Sequence, residues 1–245
     1  NLTRANFNFG KQLAQLKAER GLVVGGKVAN FSLPQWRDWI FKEDARVSSD
    51  SDFIDFERAD VEITQLEMLN GSYDDVVFEL DQRDGAYLGF VRSKGIEGTF
   101  SIPSDLQTDK LVSLNLKHLY LQKLELEADD TTEENNTQSS FDPALIPPIS
   151  VNIEKLLYQD NNLGSFVLSS KPSNSGLLLE SFALKSEAID LSGGGEWKSK
   201  PEESASLHLK FTSPEMGKAS ALLGYKNTIK DGEVVFEANL NWPGS

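Results

Sequence analysis

The stretch LVSLNLKHLYL, Leu111 to Leu121, decides the fold. Val112, Leu114 and Leu116 alternate with Ser113, Asn115 and Lys117. Alternation with a period of two marks a β-strand with one apolar face and one face in water. The same pattern recurs in VEITQLEM (61–68), VVFEL (76–80), ISVNI (149–153), SFVLSS (165–170), SLHLKF (206–211) and GEVVFEANLNW (232–242). Asn70-Gly71, Asp84-Gly85, Asp231-Gly232 and the run Gly193-Gly194-Gly195 fall between such segments and read as tight turns. Roughly fifteen strands are expected on this reading, and hairpin connections make them antiparallel.

Two segments break the alternation. Ser32-Leu33-Pro34-Gln35 and Thr212-Ser213-Pro214-Glu215 each place Gln or Glu three residues after a hydroxyl, with Pro in the first turn. That is a capping-box helix start. It predicts one helix near 33–43, with Trp36, Trp39 and Ile40 on a face, and one near 214–223 ending at Gly224. The two starts are 180 residues apart (211 − 31 for the preceding Phe residues). A shorter repeat relates Val61, Ile63, Leu66 and Phe78 to Val151, Ile153, Leu156 and Leu168 at an offset of 90. The repeating unit is then a meander of several strands, and stacked repeats bury a continuous apolar face. We divide the chain into a first β unit (1–124), a loop insertion (125–147) and a second β unit (148–245). Within the insertion, Asp129 to Ser140 is acidic and aperiodic and reads as a mobile loop, and Pro143 to Pro148 as an extended re-entry.

Composition excludes several functions. The net charge of −14 opposes binding to phosphate backbones. With no cysteine, thiol catalysis and Cys-ligated metals are ruled out. No apolar run reaches the ~18 residues of a membrane span. The chain begins and ends as though cut from something longer. His118 and His208 sit in alternating strands and read as outward-facing residues. Paired carboxylates such as Asp74-Asp75 read as solvated surface, since adjacency does not place two carboxyls across a cleft. The sequons at Asn1, Asn70 and Asn135 matter only in a glycosylating compartment. No enzyme activity, cofactor or metal site is expected.

The remaining signal is the apolar stripe itself. Its candidate positions are Val61, Ile63, Val76, Phe78, Leu80, Val112, Leu114, Leu116, Val151, Ile153, Phe166, Leu168, Leu207, Leu209, Val234, Phe236 and Leu240. The same positions suit a core packed under a helix, and the pattern leaves both open. We therefore expect a mainly β fold: an elongated, curved antiparallel sheet forming an open hydrophobic groove, with two short flanking helices. A β-sandwich is the alternative. An open apolar face needs a cover: helices, a partner or a lipid-like ligand.

DPALIPPISVNIEKLLYQDNNLGSFVLSSKP (142–172), GEWKS (195–199), FTSPEMGKASALLGY (211–225) and IKDGEVVFEANLNWPGS (229–245) resemble the C-terminal part of the large YhdP-type proteins of the AsmA-like family. The resemblance is strong over 142–245, weaker over 1–121, and fades in 122–141. It implies the periplasmic portion of an inner-membrane-anchored protein of the Gram-negative envelope. It further implies a fragment of a bridge-like lipid transfer protein, conducting phospholipid acyl chains along an apolar β-groove between inner and outer membrane. Phospholipid, or another acyl-chain lipid, is then the partner, with further envelope proteins possible and nucleic acid excluded. A structural or protein-interaction β module of the envelope is the alternative function.

Overall fold

The computed structural model describes residues 4–10, 21–35, 56–105, 110–122, 143–159, 161–199, 203–225 and 230–243. Among the described residues thirteen strands form one sheet whose strand order is the chain order, β1 to β13. The sandwich alternative, which needs two facing sheets, is therefore not what forms. Contacts divide the chain into two units, residues 1–105 with 114–119, and residues 106–113 with 120–245.

The first unit carries β1 (Arg4–Phe9), β2 (Gly21–Ser32), β3 (Phe56–Met68), β4 (Gly71–Arg83), β5 (Ala86–Arg92), β6 (Ile96–Pro103) and the middle of β7 (Val112–Leu121). Here the antiparallel expectation needs correcting. β1 pairs parallel with β2, and β2 parallel with β3. Parallel neighbours require a crossover rather than a hairpin. The crossover residues 11–20 and 36–55 lie outside the described residues, and with them Trp36, Trp39 and Ile40 of the first expected helix; residues 33–35 are helical. From β3 to β6 the pairing is antiparallel, as expected.

The second unit carries a 3-10 turn (Pro143–Leu145), β8 (Ile149–Tyr158), β9 (Asn161–Ser173), β10 (Gly176–Lys185), β11 (Asp190–Lys198), β12 (Ser204–Ser213), helix α1 (Met216–Leu222) and β13 (Val234–Pro243). All five pairings from β8 to β13 are antiparallel. Pro143 is fully buried, and its turn lies close to β9, β10 and β11. The segment is a turn passing over those strands, not the extended re-entry expected. The loop expected at 129–140 lies outside the described residues.

The ninety-residue repeat is visible within each unit. Val61 pairs with Phe78 and Ile63 with Val76; ninety residues on, Val151 pairs with Leu168 and Ile153 with Phe166. A turn repeats as well. Ser93 N–H donates to the Ile96 carbonyl, and the Ser93 hydroxyl accepts from the Gly95 and Ile96 amides. Ser186 does the same with Ile189, accepting from Ala188 and Ile189. In each case the closing isoleucine, Ile96 or Ile189, is buried.

Helix α1 starts later than its capping pattern implies. Thr212 and Ser213 remain in β12, paired with Val235 and Val234 of β13. Their backbone groups are spent on the ladder, so Thr212 caps nothing. The helix begins at Met216, whose amide donates to the Gly232 carbonyl, and no side chain caps it. Its end is as expected. Gly224 adopts φ +91, its amide donates to the Ala221 carbonyl, and the Tyr225 amide reaches the Ser220 carbonyl. That is a Schellman ending. Other local expectations shift slightly. The first hairpin turns on Leu69 and Asn70, both at positive φ, rather than on Asn70-Gly71. Gly193 to Gly195 form no turn and lie inside β11. His118 is half-buried, with its Nε2 enclosed, rather than turned outward.

Carboxylates on the polar faces are held by basic and hydroxyl partners, across strands for Glu97 and Glu180 and along β11 and from the β9–β10 turn for Glu196. Lys117 donates to Glu97 at 2.7 Å, Lys171 and the Ser169 hydroxyl donate to Glu180, and Lys198 and the Ser175 hydroxyl to Glu196. These bonds hold all three carboxyls below their ordinary value of 4.5. A carboxyl with a depressed folded pKa stabilises the fold above 4.5 and loses that contribution as pH falls through the lower folded value. Lower pH also relieves the repulsion of a −14 chain, which opposes the trend. The difference between wild type and a Glu97→Gln, Glu180→Gln, Glu196→Gln variant isolates the carboxyl effect. Urea midpoints measured from about pH 6 to about pH 3 should show that difference shrinking toward acid, and a gap that widens toward acid would contradict the assignment.

Candidate functional site

Register converts the alternation of single strands into a surface. Directly paired residues share a face, so the second unit carries four apolar rows running across its strands. The first row is Phe166, Leu184, Leu191, Phe211 and Phe236. The second is Leu168, Phe182, Gly193, Leu209 and Ala238. A third joins Leu179, Gly195, Leu207 and Leu240, and a fourth Pro172, Leu177, Trp197, Ala205 and Trp242.

The reverse of the same strands is polar. Lys171, Glu180, Glu196, Lys198, His208 and Glu237 lie there, and Nδ1 of His208 sits 2.8 Å from the Asn239 side-chain oxygen. One face of this unit is therefore apolar across five strands and the other mainly hydrophilic, with Val167, Leu178 and Val235 as apolar exceptions.

The apolar face is closed at one end. Ala219 of α1 is fully buried with Ala188 and Ile189, and Leu184, Leu191, Phe211, Met216 and Leu222 pack against them. Three of these belong to the first row, so the helix lies against the apolar face and walls one end of the strands. Toward the other end the rows open. Trp197, Leu240 and Trp242 are 41%, 45% and 47% exposed; on β13 the helix end of the face is open as well, with Phe236 of the first row 52% exposed. Large apolar side chains exposed side by side in one row set mark a surface that takes an apolar ligand or partner.

In the first unit the corresponding face fills itself. Val61, Ile63, Val76, Val91 and Leu116 are buried. Phe100 lies over Gly89 and stacks on Phe78 with ring centroids 5.6 Å apart. A side chain at Gly89 would meet the Phe100 ring, so the ring occupies the space that the missing Cβ leaves.

The sequence-derived positions fall as follows. Val61, Ile63, Val76, Leu116 and Ile153 are buried; Phe78, Leu80, Val112, Leu114, Val151, Phe166, Leu168, Leu207, Leu209 and Val234 are half-buried; Phe236 and Leu240 are exposed. Phe166, Leu168, Leu207, Leu209, Phe236 and Leu240 come together in the rows of the second unit, and Val151 and Ile153 of β8 extend two of them by pairing with Leu168 and Phe166. Val234 does not: it pairs with Ser213 at the end of β13. The sequence reading missed Leu177, Leu179, Phe182 and Leu184, because GLLLESFALK is nearly continuous in apolar residues and shows no clean alternation. It also missed Trp197 and Trp242 as members of one row, since only register aligns them.

Fold and face define a class: a many-stranded open β-sheet whose second unit has one mainly polar side and one apolar side left partly in solvent. The chain belongs to the YhdP protein family, which matches it over residues 1–245. Membership supports a lipid-transfer protein of the Gram-negative envelope, at the level of the family. No curated protein and no solved structure matches the chain. Among the described residues no helix is long and apolar enough to cross a membrane.

Proposed function

We propose that the chain is a non-enzymatic segment of a periplasmic lipid-transfer protein, and that the apolar face of β9 to β13 carries phospholipid acyl chains. The observation that carries this reading is the set of four apolar rows, partly exposed, backed by a polar reverse side. Burial of apolar area yields about 25 cal/mol per Å², or roughly 0.8 kcal/mol per CH₂. A surface that takes acyl chains therefore needs breadth rather than a few polar contacts, and the rows supply breadth. Gly193 and Gly195 keep the middle of the rows closely packed, Gly193 beneath the Phe182 ring, so the face offers breadth without a fixed lock-and-key contact. Weak, repeated contact suits conduction better than tight storage.

The test is extraction of the chain, purified without detergent, with organic solvent followed by mass spectrometry. Phospholipid enriched over a control protein of similar charge is the expected result. A preparation free of lipid, and unable to take it up from vesicles, would refute the proposal.

A further inference from the structure

The face is not symmetric along its strands, and the asymmetry fixes an orientation for its ligand. At one end lies α1 with Ala188, Ile189 and Ala219, all buried and apolar. At the other end lie Trp197 and Trp242, in one row and separated by Ala205. Two strand spacings put the indoles about 10 Å apart, with only a methyl group between them.

Both indoles are nearly half exposed. Tryptophan joins a large apolar ring to one N–H donor, and it concentrates where hydrocarbon meets headgroups. The polar reverse of the sheet ends at the same place: Glu196, Lys198, Ser204, Ser206 and Asn241, one residue out of phase with the row, share a shallow concavity with Ala205 and Trp242 at these strand ends. Phe236 in the first row and Trp242 in the fourth are six residues apart (242 − 236). At about 3.4 Å per residue that spans about 20 Å. One leaflet of a bilayer offers about 15 Å of hydrocarbon depth, half of a core about 30 Å thick. The distance from the tryptophans to the helix wall thus accommodates an acyl chain lying along the strands.

We infer that phospholipid lies on this face with its chain ends toward α1 and its glycerol and headgroup region at Trp197 and Trp242. This rests on the lipid-carrying reading above and adds a direction and two specificity-determining residues to it. The indoles set where the polar part stops, and the helix wall limits chain length.

The experiment uses the 245-residue chain with Trp36→Phe and Trp39→Phe, so that Trp197 and Trp242 are the two remaining fluorophores. It is loaded with phosphatidylcholine brominated either close to the glycerol or near the chain terminus. Trp emission should be quenched more by the bromine close to the glycerol. The chain has no cysteine, so Phe236→Cys accepts a single bimane label at the opposite end of β13. That label should be quenched more by the terminal bromine. Equal quenching by the two lipids, or the reverse order at either site, would overturn the orientation while leaving the lipid face standing. No quenching by either lipid at either site would remove the lipid face and the orientation together.

Discussion

The chain carrying Leu207→Asp and Leu209→Asp should fold and fail to hold lipid. Both leucines lie in the middle of the rows on β12, flanked by Gly195 and Gly193 on one side and by Leu240 and Ala238 on the other. Both are half-buried rather than enclosed, so each carboxylate keeps access to water in the empty protein. The cost to folding is then small, since surface substitutions commonly shift stability by about 0.5 kcal/mol or less. A bound acyl chain changes that. It would seal two unpaired charges against hydrocarbon, and an uncompensated buried charge costs several kcal/mol. At about 1.4 kcal/mol per tenfold, two such penalties reduce lipid affinity by at least about a hundredfold. Lys210→Asp is the matched control. It places the same carboxylate on the same strand, on the polar side opposite Glu237. Uptake of a fluorescent phospholipid from vesicles should be near zero for the double variant and unchanged for the control. Equal uptake by both variants would mean that lipid does not use this face.

The strands were legible because their signal is local. Alternation in SLHLKF or SFVLSS needs only neighbouring residues, and register then made those strands into rows. What the sequence could not reveal were the pairings themselves. Nothing in GLVVGGKVANFS states that β2 has parallel neighbours on both sides, because the crossovers that permit it carry no hairpin signal. The capping pattern at Thr212 misled for a related reason. A hydroxyl caps a helix only when the backbone beside it leaves the sheet, and β12 continues to Ser213 because β13 is there to pair with it. The glycine run misled because glycine has two uses. At Gly193 a side chain would strike the His208 carbonyl and the Phe182 ring, and at Gly195 the Ser206 carbonyl. These glycines permit close packing inside a strand, whereas Asp84-Gly85, both at positive φ, do make the turn their sequence suggests. The candidate site was half legible. Its leucines on β12 showed, but the Trp197–Trp242 row did not, because two residues 45 apart (242 − 197) meet only through a third strand.

The largest stability losses are expected in the first unit, where Leu116 crosses Gly98. Leu116 is 2% exposed, and a Cβ built on Gly98 would lie 2.6 Å from its Cα and 2.7 Å from one of its methyls. Leu116→Ala removes the enclosed methyl groups and leaves a cavity, which costs about 2–5 kcal/mol. Gly98→Val acts in the opposite sense, by overfilling. Two ways of relieving it can be told apart. If the clash were with the leucine side chain alone, trimming that side chain would make room, and the double variant would recover stability relative to Gly98→Val. The nearest atom to the added Cβ, however, is the Asn115 carbonyl oxygen, which is backbone. Shortening Leu116 does not move it. The two strands must separate, and the ladder between them is lost whichever residue stands at 116. The double variant should therefore be at least as unstable as Gly98→Val alone, with a coupling energy near zero rather than the strongly favourable value of a compensating pair. Urea unfolding of the wild type, the two single variants and the double variant measures this directly. Recovery of stability in the double variant would show that side-chain volume, not backbone approach, requires glycine at 98.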